Sequence, residues 1–526
     1  MNAPTSASTP SAPPSEPAFG PRLAVGLLGI LLAAMVSGLS GRVPSLVLID
    51  IQGGLGFSKD DISWLTTAYS AGELAAMPFA AWFAITFSMR RFHIAMLAAA
   101  MALTTVLPFI RDLHVLLLLR TLHGLCAGSL VPILMMAALR FLPAPIRLHG
   151  LALFAMTATL SPNIALWLAA LCADRMDDWR WAYWHVIPLG LIAMAMVAWG
   201  IPKLPMALPR IKQANWFGMV FAMPGLMLLA VGIDQGVRLD WFQSPVITVA
   251  LGIGLTFTAL FLISEWCHPA PFVQLELLKR RNIWLGFVTL IGLLVAMFSG
   301  AGLPANVLAG LHGFRLEQTA SLGLMIGAPQ LVLGSAVATL LYRRWIDARH
   351  VFAAGLACMA AACWLASYVT DEWMVPQFLG ATLLHVIGQP LAMVAMLFLI
   401  VSVIQPIEGP FLAGLVNIVR VISTIFAGAV IGQLNVVRTR FHYETLRDQA
   451  GNAMGRWGGF DIPSHELVEL ITRQASVLAA ADVYRVIGLM VLLLIPVVLK
   501  LRYIPAPVVP RASRAVASPA IAGPTT

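Results

Sequence analysis

Residues 114–147 open His114-Val-Leu-Leu-Leu-Leu-Arg120-Thr-Leu-His123-Gly124-Leu-Cys126-Ala127-Gly128-Ser-Leu-Val-Pro132-Ile133 and run on to Arg147. The stretch is apolar over the length of a membrane-crossing helix, for which about 20 residues suffice, yet it carries an arginine in its outer half. A charge near the middle of a span costs about 2.5–3.5 kcal/mol on insertion scales, so Arg120 has to face protein or water. It is expected to point inward at a cavity, with His123 and Ala127 on the same stripe. Gly124 and Gly128, one turn apart, let a neighbouring helix or a solute approach the backbone.

The rest of the chain agrees with this stretch. Its 526 residues are 59% hydrophobic and 11% charged, with a mean hydropathy of +0.85. That excludes a soluble protein of this size and predicts an all-α integral membrane protein. The net charge of +9 is spread singly or in pairs between apolar runs, which reads as topology signals and not as a nucleic-acid surface.

The apolar runs predict fourteen transmembrane helices, near 22–41, 62–87, 93–110, 114–140, 148–172, 181–200, 216–235, 245–265, 283–303, 319–342, 351–370, 376–402, 409–433 and 484–503. With both termini inside, the short inner loops hold thirteen Lys/Arg and the short outer loops six, which places both termini in the cytoplasm. The tails, 1–20 and 504–526, are rich in Pro, Ser and Ala and are expected to be disordered. No positive charge precedes the first apolar run, so a cleaved signal peptide is not expected. Five cysteines sit in or beside spans without metal-ligand spacing and read as packing residues.

A faint repeat joins Ser88-Met-Arg90-Arg91-Phe after span 2 to Leu341-Tyr-Arg343-Arg344-Trp after span 10. Taking spans 7 and 8 as an extra pair makes the two loops equivalent positions of two six-helix halves, and Arg90, Arg91, Arg343 and Arg344 candidate gate-loop residues. Arg120-x-x-x-Gly124-x-x-x-Gly128 with Pro132, Phe141-Leu-Pro143 and Arg147 resembles the fourth-helix motif of major facilitator transporters. Further stretches in order narrow the resemblance to the fourteen-span EmrB/QacA-type drug:proton antiporters: Trp179-Arg-Trp181 with Pro188-Leu-Gly190, Asp234-Gln-Gly236 through Asp240-Trp-Phe242, Pro271-Phe-Val-Gln-Leu through Arg281-Asn282, Asn417-x-x-Arg420, and Ile471-Thr-Arg-Gln-Ala with Ala481-Asp-Val-Tyr484.

The resemblance implies a major facilitator fold: an N-terminal half over 21–200, an inserted pair with its flanking loop over 201–266, and a C-terminal half over 267–503. Its implied activity is proton-coupled export from a bacterial inner membrane. The chain also departs from the pattern. The Gly-x-Leu-x-Asp-Arg-x-Gly hinge after span 2 has become Ala81 to Ser88, and the Gly-Pro-x-x-Gly-Gly of span 5 has become Ala165-Leu-Trp-Leu-Ala-Ala170, with Pro162 left to kink the helix. Ser40-Gly-Arg42 replaces the acidic residue usual near the end of span 1.

The proton carrier is expected to be Glu73, near the middle of span 2 and sharing a face with Thr66 and Tyr69. Arg42 and Arg120 are its expected counter-charges, and a static buried ion pair is the alternative. Asp234 reads as a solvated cap of the extra pair. Candidate cavity residues are Trp64, Tyr69, His123, Asn306, Gln330, His385, Gln389, Asn417 and Arg420, polar or aromatic groups on helices that line the centre of a major facilitator fold. Two arginines at the cavity lean the substrate toward an amphipathic organic anion.

Residues 434–483 are expected to form an outer loop with helices near 436–449 and 464–481, the second presenting Leu467, Leu470, Ile471 and Leu478 on one side. In the group resembled, some members work with a periplasmic adaptor and an outer-membrane channel, so this loop is a candidate docking site. No phosphate-binding loop or metalloprotease helix is present, and no cofactor is expected. The predicted function is proton-coupled export of a small amphipathic or aromatic compound. The alternatives are a facilitator or symporter of an organic-acid metabolite, and a membrane-embedded transferase using His123 or His385.

Overall fold

The computed structural model describes residues 19–457 and 464–507, so the outer parts of both expected tails, 1–18 and 508–526, lie outside the described residues. Among the described residues every regular element is a helix. In chain order they are α1 (Pro21–Leu46), α2 (Leu48–Leu55), α3 (Lys59–Thr86), α4 (Met89–Val106), α5 (Leu113–Gly128), α6 (Val131–Phe141), α7 (Ala144–Ala170), α8 (Trp181–Trp184) and α9 (Val186–Gly200). Then follow α10 (Trp216–Gly236), α11 (Pro245–Cys267), α12 (Arg281–Phe298), α13 (Gly302–His312), α14 (Leu316–Leu341), α15 (Ala348–Ala366), α16 (Val375–Val401), α17 (Gly409–Trp457) and α18 (Ser464–Leu499).

Two pairs, α5/α6 and α12/α13, are single spans broken in the middle for the same reason. Pro132 and Pro304 lack the N–H that would bond the carbonyl four residues back, at Gly128 and Gly300, and each helix stops there. Among the described residues thirteen spans are long and apolar enough to cross a membrane. The fourteenth is α3, whose 28 residues reach about 42 Å at 1.5 Å per residue. It falls short only in hydropathy, because Thr66, Thr67, Tyr69, Ser70 and Glu73 face protein and cavity in place of lipid. A Ser58–Asp61 capping box starts it. Its far end turns through Ser88 at φ 72, a left-handed conformation that favours glycine.

One face of the bundle carries the start of α1 and the end of α18 and is called here the termini side. The opposite face carries the end of α17 and the start of α18 and is called the hairpin side. On the termini side the bundle is closed. There α6 packs on α17 and α7 on α16, and Met77, Phe154, Met393, Met396 and Leu397 are each 3% exposed or less. The Tyr342 hydroxyl donates to the Pro145 carbonyl at 2.8 Å across this closure. Residues 504–507 lie in a cleft with Arg147, Tyr342 and Phe398.

The pair α10–α11 docks through α10 on α3 and α17. α11 turns Val249, Leu255, Ile263 and Trp266 outward, each more than half exposed, as a lipid-facing helix should.

Residues 434–457 and 464–483, the described part of the expected outer loop, do not form a separate loop. α17 runs unbroken for 49 residues and α18 for 36, so the expected outer helices are continuations of spans 13 and 14. No proline interrupts either junction, and a helix once nucleated propagates. Span 14 correspondingly begins well before 484 and ends at Leu499. The buried stripe of its outer part is Ile471, Ala475 and Ala479, while Leu470 and Leu478 are 48% and 38% exposed. Small residues let α18 approach its neighbours closely, so burial follows alanine and not leucine there. Where the hairpin leaves the bundle, Asp482 accepts from Arg438 Nε at 2.7 Å, His442 Nε2 at 2.8 Å and Arg485 Nη1 at 3.1 Å.

Candidate functional site

The site begins with the contact between α3 and α5. A Cβ at Gly72 would lie 2.1 Å from the Thr121 carbonyl oxygen, one at Gly124 2.1 Å from the Tyr69 carbonyl oxygen, and one at Gly128 2.7 Å from that of Glu73. Backbone therefore meets backbone, and the approach fixes Tyr69 and Glu73 on the other face of α3.

That face borders a central cavity in two joined lobes of about 190 Å³ and about 290 Å³, which share Arg42, Ser45, Ala158, Leu294 and Thr424. The deep lobe holds Arg42, Thr66, Tyr69, Glu73, Asp234 and Arg420. The other rises past Asn163 and Asn306 to Phe314, Arg315 and Leu316 toward the hairpin side. At that mouth Arg315 Nε donates to Asp174 Oδ1 at 2.8 Å and Arg175 Nε to Glu317 Oε1 at 2.9 Å.

Glu73 is half-buried and faces the deep lobe. Among the described residues no hydrogen bond or ion pair holds its carboxylate; the charges acting on it are Arg420, Arg42 and Arg120. Among the described residues the Arg42 side chain has no hydrogen-bond or ion-pair partner. Arg420 Nη1 donates to Thr157 Oγ1 at 3.1 Å, and its guanidinium lies 5.9 Å from the Phe154 ring. The deep lobe thus places the Glu73 carboxylate against two guanidiniums that retain most of their donors, with Asp234 as a second carboxylate in the lining.

Arg120 does not line this cavity. It is 1% exposed, one layer behind Tyr69, with its guanidinium 4.5 Å from the Tyr69 ring and 5.5 Å from the Tyr183 ring. Nη1 donates to the Ser40 carbonyl at 3.1 Å and to His123 Nδ1 at 3.1 Å. That leaves His123 Nε2 to donate to Thr104 Oγ1 at 3.0 Å. The Tyr69 hydroxyl donates in turn to the Ser37 carbonyl at 2.8 Å. Aromatic faces, the Ser40 carbonyl and His123, not a carboxylate, meet this buried cation. Arg120 and His123 tie α1, α4 and α5 together and hold Tyr69 in place.

Of the other candidates, Tyr69, Asn306 and Arg420 line the cavity, and Trp64 packs under Arg238 at 5.7 Å. Gln330 bridges α7, α14 and α16 by accepting from Thr159 Oγ1 at 3.3 Å and donating to the Ile326 and Val386 carbonyls. His385 Nε2 meets Ser299 Oγ at 3.2 Å, and Gln389 Oε1 accepts from Asn163 Nδ2 at 3.2 Å. Asn417 donates to the Ala413 carbonyl at 2.7 Å. These four sit in helix contacts just outside the lining. Of the gate-loop arginines, Arg90 Nη1 donates to the Ile201 carbonyl at 3.3 Å, while Arg91, Arg343 and Arg344 are exposed.

Two features escape the sequence reading. Asp234 is no solvated cap: it accepts from Thr67 Oγ1 and lines the deep lobe. The termini-side latch is Tyr342 to Pro145, between residues whose letters carry no charge signal.

The description of the matching family model is Major Facilitator Superfamily, over residues 30–428. The "Multidrug export protein EmrB" of Escherichia coli (strain K12) is 20% identical over 487 residues, 89% of this chain and 93% of that protein. The "Colistin resistance protein EmrB" of Acinetobacter baumannii is 24% identical over 65% of this chain and 67% of its own length. The "Fatty acid resistance protein FarB" of Neisseria gonorrhoeae is 27% identical over 55% and 57%. Among solved structures, the human organic anion transporter MFSD10 (TETRAN) superposes with a TM-score of 0.57 at 13% identity, covering 91% of this chain and 100% of that one, a likeness of fold.

Proposed function

The chain belongs to the Major Facilitator Superfamily, and from that premise we propose that it is a proton-coupled exporter of small amphipathic or aromatic compounds in a bacterial inner membrane. The halves over 21–200 and 267–503 rock about the central cavity, and α10–α11 form the inserted pair. The termini side is cytoplasmic and the hairpin side periplasmic. The conformation described is the one open to the periplasm. The hairpin, which extends beyond the bundle, docks a periplasmic adaptor that leads to an outer-membrane channel.

One observation carries the reading: Glu73, a carboxylate at mid-span, faces the cavity without an ion-pair partner. An acid in a span costs free energy and usually marks an ion pathway. Here it is free to exchange its proton with whichever side the cavity opens to. A substrate whose polar group competes for the carboxylate displaces the proton, and that exchange couples the two fluxes.

A second reading has its own observation. Arg42 and Arg420 match Glu73 and Asp234 in number in the deep lobe, so protonating Glu73 leaves the two guanidiniums one negative charge short, which favours an anion bound together with the proton. That is symport of an organic acid. The sign of proton movement separates the two. Substrate added to the purified protein releases protons in an antiporter and takes them up in a symporter. In either case Glu73→Gln abolishes the proton signal; a variant that keeps it rules out Glu73 as carrier.

A further inference from the structure

We infer that Asp234 is an ammonium-binding subsite of the central cavity, so that the preferred substrate is amphoteric: a protonated amine at Asp234 and an acidic or electron-rich end toward Arg42 and Arg420. The inference rests on the export reading above and adds the substrate class.

A directed hydrogen-bond chain runs along the α3–α10 seam. Arg238 Nη1 donates to Asp60 Oδ1 at 2.8 Å and its Nε to Gln235 Oε1 at 2.6 Å. Gln235 Nε2 donates to Thr67 Oγ1 at 2.5 Å, which leaves the Thr67 hydroxyl proton for Asp234 Oδ2. Gln235 Nε2 also donates to the Ser63 carbonyl at 3.4 Å; its other proton runs by way of Thr67 to Asp234, which therefore ends the chain as an acceptor and keeps Oδ1 open to a donor from the cavity. The nearest arginine along the helix, Arg238, is already committed to Asp60 and Gln235. Among the described residues no cation pairs with Asp234, and its Oδ1 has no protein partner.

A carboxylate at the edge of a membrane-buried cavity is costly unless a positive charge meets it, and neither Arg42 nor Arg420, which line the same lobe, forms an ion pair with Asp234 among the described residues. One carboxylate and one hydroxyl are too few oxygens for a metal ion, which takes six or more; an alkylammonium, with three donors, needs no more. Thr67 lies six residues, about 9 Å, from Glu73 along α3 toward the hairpin side, so the two ends of a bound molecule are held at different depths. Val421, Ile425 and Leu294 supply the apolar wall between them. Asp234 comes from the inserted pair, so α10 supplies a recognition group as well as a lipid-facing buttress.

The test uses purified full-length protein in nanodiscs and three probes: dodecanoate, dodecylamine and the ω-amino derivative of dodecanoate. Wild type should bind the ω-amino acid about tenfold more tightly than dodecanoate, the gain of one charge-assisted contact. Asp234→Asn, of the same shape, should lose that preference and bind the two acids within about twofold of each other. Asp234→Glu should keep the preference, and Asp234→Ala provides a second charge-free variant should the Asn protein fail to fold. Equal binding of the two acids by wild type, or a preference that survives in the charge-free variants, overturns the inference. Failure of the export reading looks different: a substrate that binds but drives no proton release.

Discussion

A methyl group placed at Gly124 tests how far the site depends on contact between α3 and α5. The added carbon would lie 2.1 Å from the Tyr69 carbonyl oxygen and 3.0 Å from the Glu73 nitrogen. A carbon–oxygen contact relaxes at about 3.3 Å, so the helices must part by roughly 1.2 Å. Both blocking atoms are backbone, and no side chain can swing aside. Overpacking of this kind costs about 1–3 kcal/mol, and α3 carries Tyr69 away from Arg120 and Glu73 away from Arg420. Misplacement by about 1 Å costs up to a hundredfold where geometry matters, so Gly124→Ala should lower proton-coupled transport at least tenfold and reduce the melting temperature in detergent. The control is Gly428→Ala, on the cavity wall with nothing within 4 Å of the new Cβ, which should melt like wild type. Thermal melts and proteoliposome flux on the two variants decide the matter. A Gly124→Ala protein as stable and active as the Gly428→Ala control would show that the close approach is dispensable.

Two further outcomes follow from the termini side. The Arg280 guanidinium, bonded to Glu408 at 2.6 Å and 2.8 Å, holds that carboxyl below its usual range. The pair's contribution, about 1 kcal/mol or less, is complete above the ordinary carboxylate value and vanishes as pH falls through the depressed one. Arg280→Gln should therefore melt below wild type at neutral pH and converge with it in acid; a gap unchanged into acid contradicts the pairing. Tyr342→Phe removes the bond to Pro145 across the closed face, worth about 1 kcal/mol. It should raise the labelling rate of a cysteine at Leu397 by an impermeant reagent from the termini side about fivefold, and an unchanged rate would mean that the latch carries no closing energy.

Most of the fold is visible in the letters because lipid imposes one requirement on every span. Long apolar runs satisfy it, and the two broken spans announce themselves by a proline four residues after a glycine. The span that nearly escapes is α3, where cavity-facing Thr66, Tyr69 and Glu73 lower the hydropathy. The polarity that obscures the span is what identifies the site. The sequence also points to Glu73, Arg42 and Arg420, since each is a charge that lipid forbids. It cannot show which forbidden charges share a room. Arg120 obeys the same rule as Arg42 yet meets two tyrosine rings, His123 and the Ser40 carbonyl of another helix. Asp234 has the pattern of a helix cap near the end of its span and reaches the cavity only because α10 docks between α3 and α17. Both assignments depend on helix rotation and neighbour identity, which periodicity within one helix does not contain.

The unbroken length of α17 has a mechanical consequence. The helix that presents Arg420 to the cavity continues without a joint to Trp457, about 55 Å farther at 1.5 Å per residue. A stiff rod pivoting near the cavity moves its far end by about 1 Å for each degree of tilt. The hairpin is therefore an indicator needle, and its clamp is the Asp482 carboxylate gripping both arms. Anything seated on its tip would register which way the cavity faces without contact with the substrate. The same lever run backwards would let a load on the tip bias the gate.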